Sequence, residues 1–395
     1  MVYQKVAQGC LKWSAVSPSD CRSRRVVLLV KVLKACKYRL YPTSSQIEFF
    51  EKTFSSVYLV HNLLLQDRIN LYREAKKNPQ LKQSLPTPAK YKREHPLLKE
   101  VDSLALANAQ VHLERSLKRF YSGKDVGFPK MKSRKNPVMS YTTNNQNGTI
   151  KFVGLNCLKI PKLKSLIKVK MHREVKGKIK SATISKSSTG KYFVSILCEE
   201  TIACQKKTNK AVGISLGCSE LAVLSNGRRI DNDCLTEEIE RKIRREEKKL
   251  ARKKKLASQK GLDLLEQKNY QKQKMKVAKL RERLLNQRND FLNKVTTDLI
   301  KEYDLICIEE AHKKEFHRNC KLTKRVSDVS WSLFVSKLEY KAMWHDKRLI
   351  KIKKNDQIEA TKIPTKMILD IDQELSESDT ETASSIQLLL QGLNQ

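Results

Sequence analysis

The stretch AVGISLGCSELAVLSNG, residues 211–227, decides how this chain folds. It reads as a strand (Val212 to Leu216), a tight turn at Gly217-Cys218-Ser219 and a second strand (Leu221 to Leu224). A short apolar run bounded by turn residues is the pattern of a buried strand. DLICIEE, residues 304–310, is a second such run, and it ends in two carboxylates, Glu309 and Glu310.

Between these runs lies a long, strongly basic segment with helical spacing. Ile239, Ile243 and Leu250 mark one helix; Leu280, Leu284, Phe291, Val295 and Leu299 mark a second. The pair predicts a helical hairpin with a basic outer face. Such a face suits phosphate, and it equally suits a solvated hairpin held by i,i+4 Glu–Lys pairs; one face can pack while the other binds. After DLICIEE, the stretch 326–352 reads as a helix and then a strand. Beyond Ile352 the pattern disappears. Residues 370–395 carry Asp370, Asp372, Glu374, Glu377, Asp379 and Glu381 with no Lys or Arg, a reversal that reads as a disordered acidic tail.

Upstream, residues 124–205 alternate apolar and polar and predict a β-rich region, with hairpin turns at Asn147-Gly148 and Thr189-Gly190. Residues 43–123 predict helices. Thr43 with Gln46 forms a capping box, Pro86 and Pro88 break the pattern, Asp102 or Ser103 caps the next helix and Gly123 ends it. Residues 32–42 alternate up to Pro42 and suit an edge strand. Residues 1–31 are irregular.

The chain has 395 residues, with 80 Lys and Arg against 42 Asp and Glu, a formal net charge of +38. Such an excess implies a polyanionic partner, most simply nucleic acid. A membrane surface is the weaker reading, since no apolar run approaches the ~20 residues of a spanning helix. VVLLV at 26–30 is too short for a signal-peptide core. The ten Cys are scattered with no C-x-x-C pair, the usage of reduced thiols in a cytosolic protein. Candidate nucleic-acid contacts are Lys37, Arg39 and Tyr41 near the first strand, Lys130, Lys132 and Tyr141 in the β-rich region, and Arg241, Arg244, Arg245, Lys253 and Arg288 in the hairpin. Tyr38, Tyr41 and Tyr141 stand among lysines and suit base stacking or, as readily, packing within the sheet.

Several blocks then carry a family likeness, in order: KACKYRLYPT, VDSLALANAQ followed by SLKRFY, GFPKMKSRKN, SYTTNNQNG, IKVKMHREVKGKIKSATISKSSTGKYFVSI, VGISLG, NQRNDFLNKVTTDLIKEYDLICIEE and DVSWSLFVSKLEYKA. Together they resemble TnpB, the OrfB protein of bacterial insertion sequences, a relative of the type V CRISPR effector nucleases, over roughly residues 32–352. The resemblance implies a mixed fold, α+β and α/β. A wedge β-barrel (first strand 32–42, remainder 124–205) is interrupted by a helical recognition lobe (43–123). An incomplete RNase H-like RuvC domain follows (206–352), then a tail without likeness (353–395). It also implies DNA and a guide RNA made from the element's end as partners, with no membrane, and a bacterial cytoplasmic location beside the nucleoid.

The family's chemistry is two-metal phosphodiester hydrolysis, with Mg²⁺ held by carboxylates on neighbouring strands. Of the three carboxylates the resemblance implies, the second matches Glu309. The first position is Ser215, a neutral hydroxyl. The third, with the family's four-Cys zinc motif, has no counterpart, and Asp370 and Asp372 stand in no matching context. Glu309 alone would hold Mg²⁺ weakly and without productive effect. Ser215 as a nucleophile would need an activating base that its sequence neighbours do not supply. His312 and His317 read as surface residues, lacking metal-ligand spacing.

The expectation is therefore a transposition-associated protein that binds DNA under RNA guidance and has lost cleavage, either domesticated or a decayed, frame-shifted copy. The alternatives are an active RNA-guided DNA endonuclease and a non-catalytic DNA-binding transcriptional repressor. A simple basic structural protein would need neither Glu309 nor the ordered blocks.

Overall fold

The computed structural model describes residues 29–77, 85–123, 126–133, 139–216, 220–231, 235–309, 327–352 and 380–393. The N-terminal unit is built on a seven-stranded sheet ordered β2-β6-β7-β1-β5-β4-β3. These strands are β1 (Leu29–Tyr41), β2 (Ser140–Asn144), β3 (Lys151–Val153), β4 (Cys157–Lys159), β5 (Ile167–Lys170), β6 (Lys178–Lys186) and β7 (Tyr192–Ala203). The barrel expected from sequence takes the form of a curled half-barrel with β2 and β3 at its two edges.

Two expectations change here. β1 is not an edge strand. It pairs antiparallel with β7 from Leu29 to Leu40 and with β5 at its C-terminal end. Pro42 lies just past the strand, so its missing N–H interrupts no ladder. Asn147 and Gly148 do adopt the left-handed backbone of a tight turn, at φ 50 and 74. The strands either side of them, β2 and β3, are nevertheless not partners: β2 pairs with β6 and β3 with β4. Thr189-Gly190 does close a true hairpin, β6 to β7.

The helical residues share one hydrophobic core with this sheet. They comprise α1 (Ser44–Lys77), a short helix α2 (Tyr91–Glu94), a 3-10 turn (Pro96–Lys99) and α3 (Ser103–Tyr121). α1 opens with the predicted capping box, in which the Thr43 N–H donates to Gln46 Oε1 at 3.0 Å. The Asp102 carboxylate caps α3 by accepting the Leu104 N–H at 3.2 Å. Phe50, Phe54, Val57 and Leu64 of α1 share one core with Tyr38, Leu40, Tyr141, Ile184 and Val194 of the sheet.

A linker leads to a second sheet, ordered β10-β9-β8-β11-β12. Its strands are β8 (Ala211–Ser215), β9 (Glu220–Leu224), β10 (Arg229–Asp231), β11 (Leu305–Glu309) and β12 (Arg348–Ile352). β8, β9 and β10 are antiparallel neighbours, while β11 runs parallel to both β8 and β12. Three antiparallel strands followed by two parallel ones is the RNase H-like arrangement. Two helices, α5 (Lys268–Glu302) and α6 (Ser327–Trp344), flank the sheet, and α4 (Leu235–Gln259) packs on α5. Leu292, Leu299 and Ile300 of α5 and Trp331, Phe334 and Leu338 of α6 pack on Val212, Ile214, Ile306 and Ile308, one face of the sheet.

The opposite face is covered by α7 (Thr380–Leu393). The tail expected to be disordered therefore carries a docked helix. Its stripe of Leu388 and Leu389 packs on Cys307, Leu305, Ile350 and Ile352, and burial of that stripe outweighs the acidic composition around it. Residues 353–379, with Asp370 and Asp372, lie outside the described residues, as do His312 and His317. Two glycines set the fit of α7. A Cβ on Gly213 would lie 1.8 Å from the Ser385 carbonyl oxygen, and one on Gly392 would lie 2.0 Å from Cys307 Sγ. No helix among the described residues is long and apolar enough to cross a membrane.

The strand starts are tied together by Asp304. Its carboxylate accepts the N–H groups of Thr208 and Asn209, each at 2.7 Å, and pairs with the buried Lys347 ammonium. Its own N–H donates to the Lys210 carbonyl and its carbonyl accepts from the Arg348 N–H. Burial pushes the carboxyl up, but Lys347 and the two amides outweigh it and hold it below the usual range. Lys341 of α6 pins α5 in a similar way. Its buried ammonium donates to the Asn293 carbonyl and to the Thr296 and Thr297 hydroxyls, at 2.7, 2.7 and 2.6 Å.

Two tests follow from this packing. Gly213→Ala should lift α7 from the sheet at a cost of about 1–3 kcal/mol, the usual range for overpacking a tight contact. Hydrogen exchange should then rise in 380–393 while the half-barrel stays protected. Burial, with a smaller push from Lys337, lowers the Lys341 pKa to about 8. Between that value and the ~10.4 of a free lysine, the unfolded chain binds the extra proton, so stability climbs as pH rises through this window. In Lys341→Met the climb should be smaller, measured by urea melts at about pH 7.5 and about pH 9.5.

Candidate active site and nucleic-acid interface

Parallel register carries Ser215 and Glu309 to the same level of the sheet, since the β8–β11 ladder pairs Ile214 with Ile308 one residue earlier. Side chains alternate along a strand. Ile214 and Ile308 face α5 and α6, whereas Gly213 and Cys307 face α7. Ser215 and Glu309 therefore lie on the α7 side, where the C-terminal helix crosses β8 and β11. Ser215 is buried and Glu309 half-buried.

This donor set does not suit Mg²⁺ pairs. Mg²⁺ takes hard oxygen ligands, chiefly carboxylates, and two ions need several shared between them. The sheet offers one carboxylate and one neutral hydroxyl at this level. No group of three His, Cys, Asp or Glu side chains able to hold a metal occurs among the described residues. The neighbouring Cys307 thiol is pushed up to about 11 by burial, so it is a packing group and not a thiolate.

The helical hairpin separates its charges into two uses. Along the seam, Glu240 of α4 pairs with Arg288 of α5, Glu247 pairs with Arg281, and Glu246 accepts from Gln273 at 2.7 Å and pairs with Lys249 and Lys276. The Gln273 amide and the two ammonium groups hold the Glu246 carboxyl at about 2. Away from the seam, Arg241, Arg245, Lys248, Arg252 and Lys255 are exposed and make no ion pair among the described residues. Their spacing of four, three, four and three residues places them on one helix face, a stripe about 21 Å long. Arg244 is exposed but reaches Glu240 at 3.5 Å, and Lys253 donates to the Asn269 carbonyl at 3.2 Å.

Two expected contacts are corrected. Arg288 belongs to the seam, with only 13% of its side chain exposed, because Glu240 claims its guanidinium. Tyr141 is 3% exposed, wedged between Phe50 and Phe54 at centroid distances of 6.4 and 5.8 Å, and cannot meet a base. Tyr38 is likewise buried. Lys37, Arg39 and Tyr41 do share the outer face of β1. The Lys37 ammonium lies 4.5 Å from the Phe193 ring, and the Arg39 guanidinium lies 5.1 Å from Phe193 and 5.6 Å from Tyr41. Lys130 is exposed. Lys132 is half-buried and its backbone is bound by Asn62 of α1.

Comparison with known proteins bears on this arrangement. Residues 195–319 match a family model described as "Probable transposase" (OrfB_IS605), and residues 32–77 match the associated "Helix-turn-helix domain". In this chain residues 32–77 form most of β1 and the single long helix α1. A Streptomyces pristinaespiralis protein named "Putative RNA-guided DNA endonuclease" is 31% identical over 334 residues, covering 82% of this chain and 78% of that protein. An Escherichia coli K12 protein named "Putative RNA-guided DNA endonuclease InsQ" is 26% identical, covering 65% of this chain and 63% of that protein. The chain belongs to the OrfB/TnpB family, a transposase-associated family of RNA-guided DNA endonucleases. The structure titled "Cryo-EM structure of the Cas12f1-sgRNA-target DNA complex" is similar in fold, with a TM-score of 0.51 over 91% of this chain and 98% of that one at 10% identity.

The division of charge in the hairpin is testable. Arg241→Ala with Arg245→Ala should leave the melting temperature unchanged and weaken nucleic-acid binding with a shallower salt dependence. Arg288→Ala should instead lower the melting temperature, because it leaves Glu240 in the seam with only the longer, solvent-exposed contact to Arg244.

Proposed function

We propose that this chain binds DNA under the direction of an RNA transcribed from the end of its element, and that it no longer cuts the DNA it binds. The observation that carries the second half is the register of β8 and β11, whose last pair, Ile214 with Ile308, puts Ser215 and Glu309 at one level just beyond it. A carboxylate at 215 would add a second anionic ligand beside Glu309, and a hydroxyl cannot replace its charge. The first half is supported by the net charge of +38, by the unpaired stripe on α4 and by the names of the curated relatives. A protein that holds a guided site without cutting it acts as a steric block, for example to transcription.

One observation favours a second reading, an active endonuclease. α7 lies on the face that holds Ser215 and Glu309, and in sequence Asp379 and Glu381 stand at its start. A carboxylate brought in by the tail would raise the ligand count without restoring position 215.

Filter binding with and without the guide tests the binding half. Target affinity should depend on the guide, and equal binding in both arms would leave only general phosphate attraction. Plasmid cleavage with guide, Mg²⁺ and a matched target tests the other half. Neither the natural protein nor Ser215→Asp is expected to nick, because one added carboxylate holds one ion weakly and leaves the second without its ligand. Nicking by the natural protein that Glu309→Ala abolishes would establish the active reading. Cleavage by Ser215→Asp alone would show that the tail supplies the remaining ligand.

A further inference from the structure

The end of α3 and the strand-like segment after it expose a cluster of rings that the core does not use. α3 stops at Tyr121, where the Ser122 N–H donates to the Lys118 carbonyl and the Gly123 N–H to the Phe120 carbonyl, and Gly123 turns the chain at φ +69. Residues 126–133 then run back over α1. Asn62 pins them from both sides of its amide, donating to the Lys132 carbonyl at 3.1 Å and accepting the Lys132 N–H at 3.0 Å. The Tyr58 hydroxyl donates to the same carbonyl at 2.8 Å.

This anchoring sets Phe128 edge-on to Phe120, with centroids 5.3 Å apart and planes at 90°. Tyr121 packs on the same ring at 5.4 Å and 63°. Phe120 is half-buried and forms the floor between two exposed rings, Tyr121 at 66% and Phe128 at 40%. Met131 and Val126 of the same segment are also exposed. A contiguous exposed apolar patch of this kind marks a binding surface.

Its surroundings specify the occupant. Arg115, Lys118, Arg119, Lys130 and Lys132 lie in this segment, against a single acid between 115 and 133, Asp125, which falls outside the described residues. Lys118, Arg119 and Lys130 make no ion pair among the described residues. The partner must offer flat apolar faces and negative charge together. Unpaired nucleotides do so, whereas a duplex keeps its base faces stacked inside. We propose that Tyr121 and Phe128 are a stacking platform for unpaired bases of the guide RNA, with Lys118, Arg119 and Lys130 holding the adjoining phosphates. The proposal rests on the RNA-guided reading above and gives the RNA a place on the lobe. Because Asn62 already fixes the segment, little ordering cost is incurred on binding.

The test uses the full-length protein and an unstructured single-stranded RNA oligonucleotide carrying 2-aminopurine, followed by anisotropy and fluorescence quenching. Tyr121→Ala and Phe128→Ala should each weaken binding about 5- to 150-fold, the range measured for one stacked base, and remove quenching. The salt slope should stay the same, since no cation is lost, while Lys118→Ala with Arg119→Ala and Lys130→Ala should make it shallower. Tyr121→Phe and Phe128→Tyr keep the rings and should keep binding and quenching, which separates stacking from loss of fold. Alanine variants that bind and quench as the natural protein does would overturn the platform. Equal quenching by the matching DNA oligonucleotide would overturn the assignment to RNA. A natural protein with no RNA affinity would overturn the RNA-guided reading itself, and the platform with it.

Discussion

A single carboxylate, Asp304, sets the geometry on which the second sheet depends. It accepts two backbone amides from the linker ahead of β8, pairs with the lysine ahead of β12, and itself precedes β11. Three parallel strands thus start from one point. Side chains alternate along a strand, so a slip of one residue would turn the α7 face toward α5 and α6. It would also separate Ser215 from Glu309. The left-handed Asn209, at φ 55, stands at the same point, and its amide donates to the carboxylate. Asn tolerates such a conformation better than most residues.

The two units of the chain divide the physical work. The half-barrel and its helices form one core and present cations outward, some laid over Phe193 and Tyr41. The RNase H-like unit places its helical hairpin on one side of the sheet. There Glu240, Glu246 and Glu247 of α4 are engaged along the seam, so these three do not neutralise the outer stripe. A hairpin with the same composition but its acids facing outward would carry a similar net charge and a much weaker local field. Net charge alone therefore says little about where a polyanion lies; the placement of the acids decides it.

The parts of the fold legible in the sequence are those fixed by local physics. The strands around Ile214 and Ile308, the caps at Thr43 and Asp102, and the turn at Gly123 all follow from residues within a few positions of one another. The pairing of β2 with β6 does not, because Asn147-Gly148 specifies a turn and is silent on which strands meet. Tyr141 shows the same limit: alternation gives two faces of a strand, and only the position of α1 tells which is inside. Arg288 meets Glu240 across a hairpin of 48 residues, beyond the reach of i,i+4 reasoning. For the tail, a stripe was present in IQLLLQGL, but the acidic run before it dominated the composition. Within the candidate site, Glu309 and Ser215 were legible as positions, while the helix lying over them was not.

That helix also gives the molecule an order of completion. α7 is the last described element of the chain, yet it packs on strands that begin at residue 211. Chains emerge from synthesis N-terminus first, and units fold as they emerge. The half-barrel and the basic hairpin are therefore ready to hold nucleic acid while one face of the second sheet is still bare. Any chain that ends before residue 380 would remain a competent polyanion binder with Leu305, Cys307 and Ile350 exposed to water. Association through that bare face, rather than loss of binding, would be the first consequence of an incomplete product.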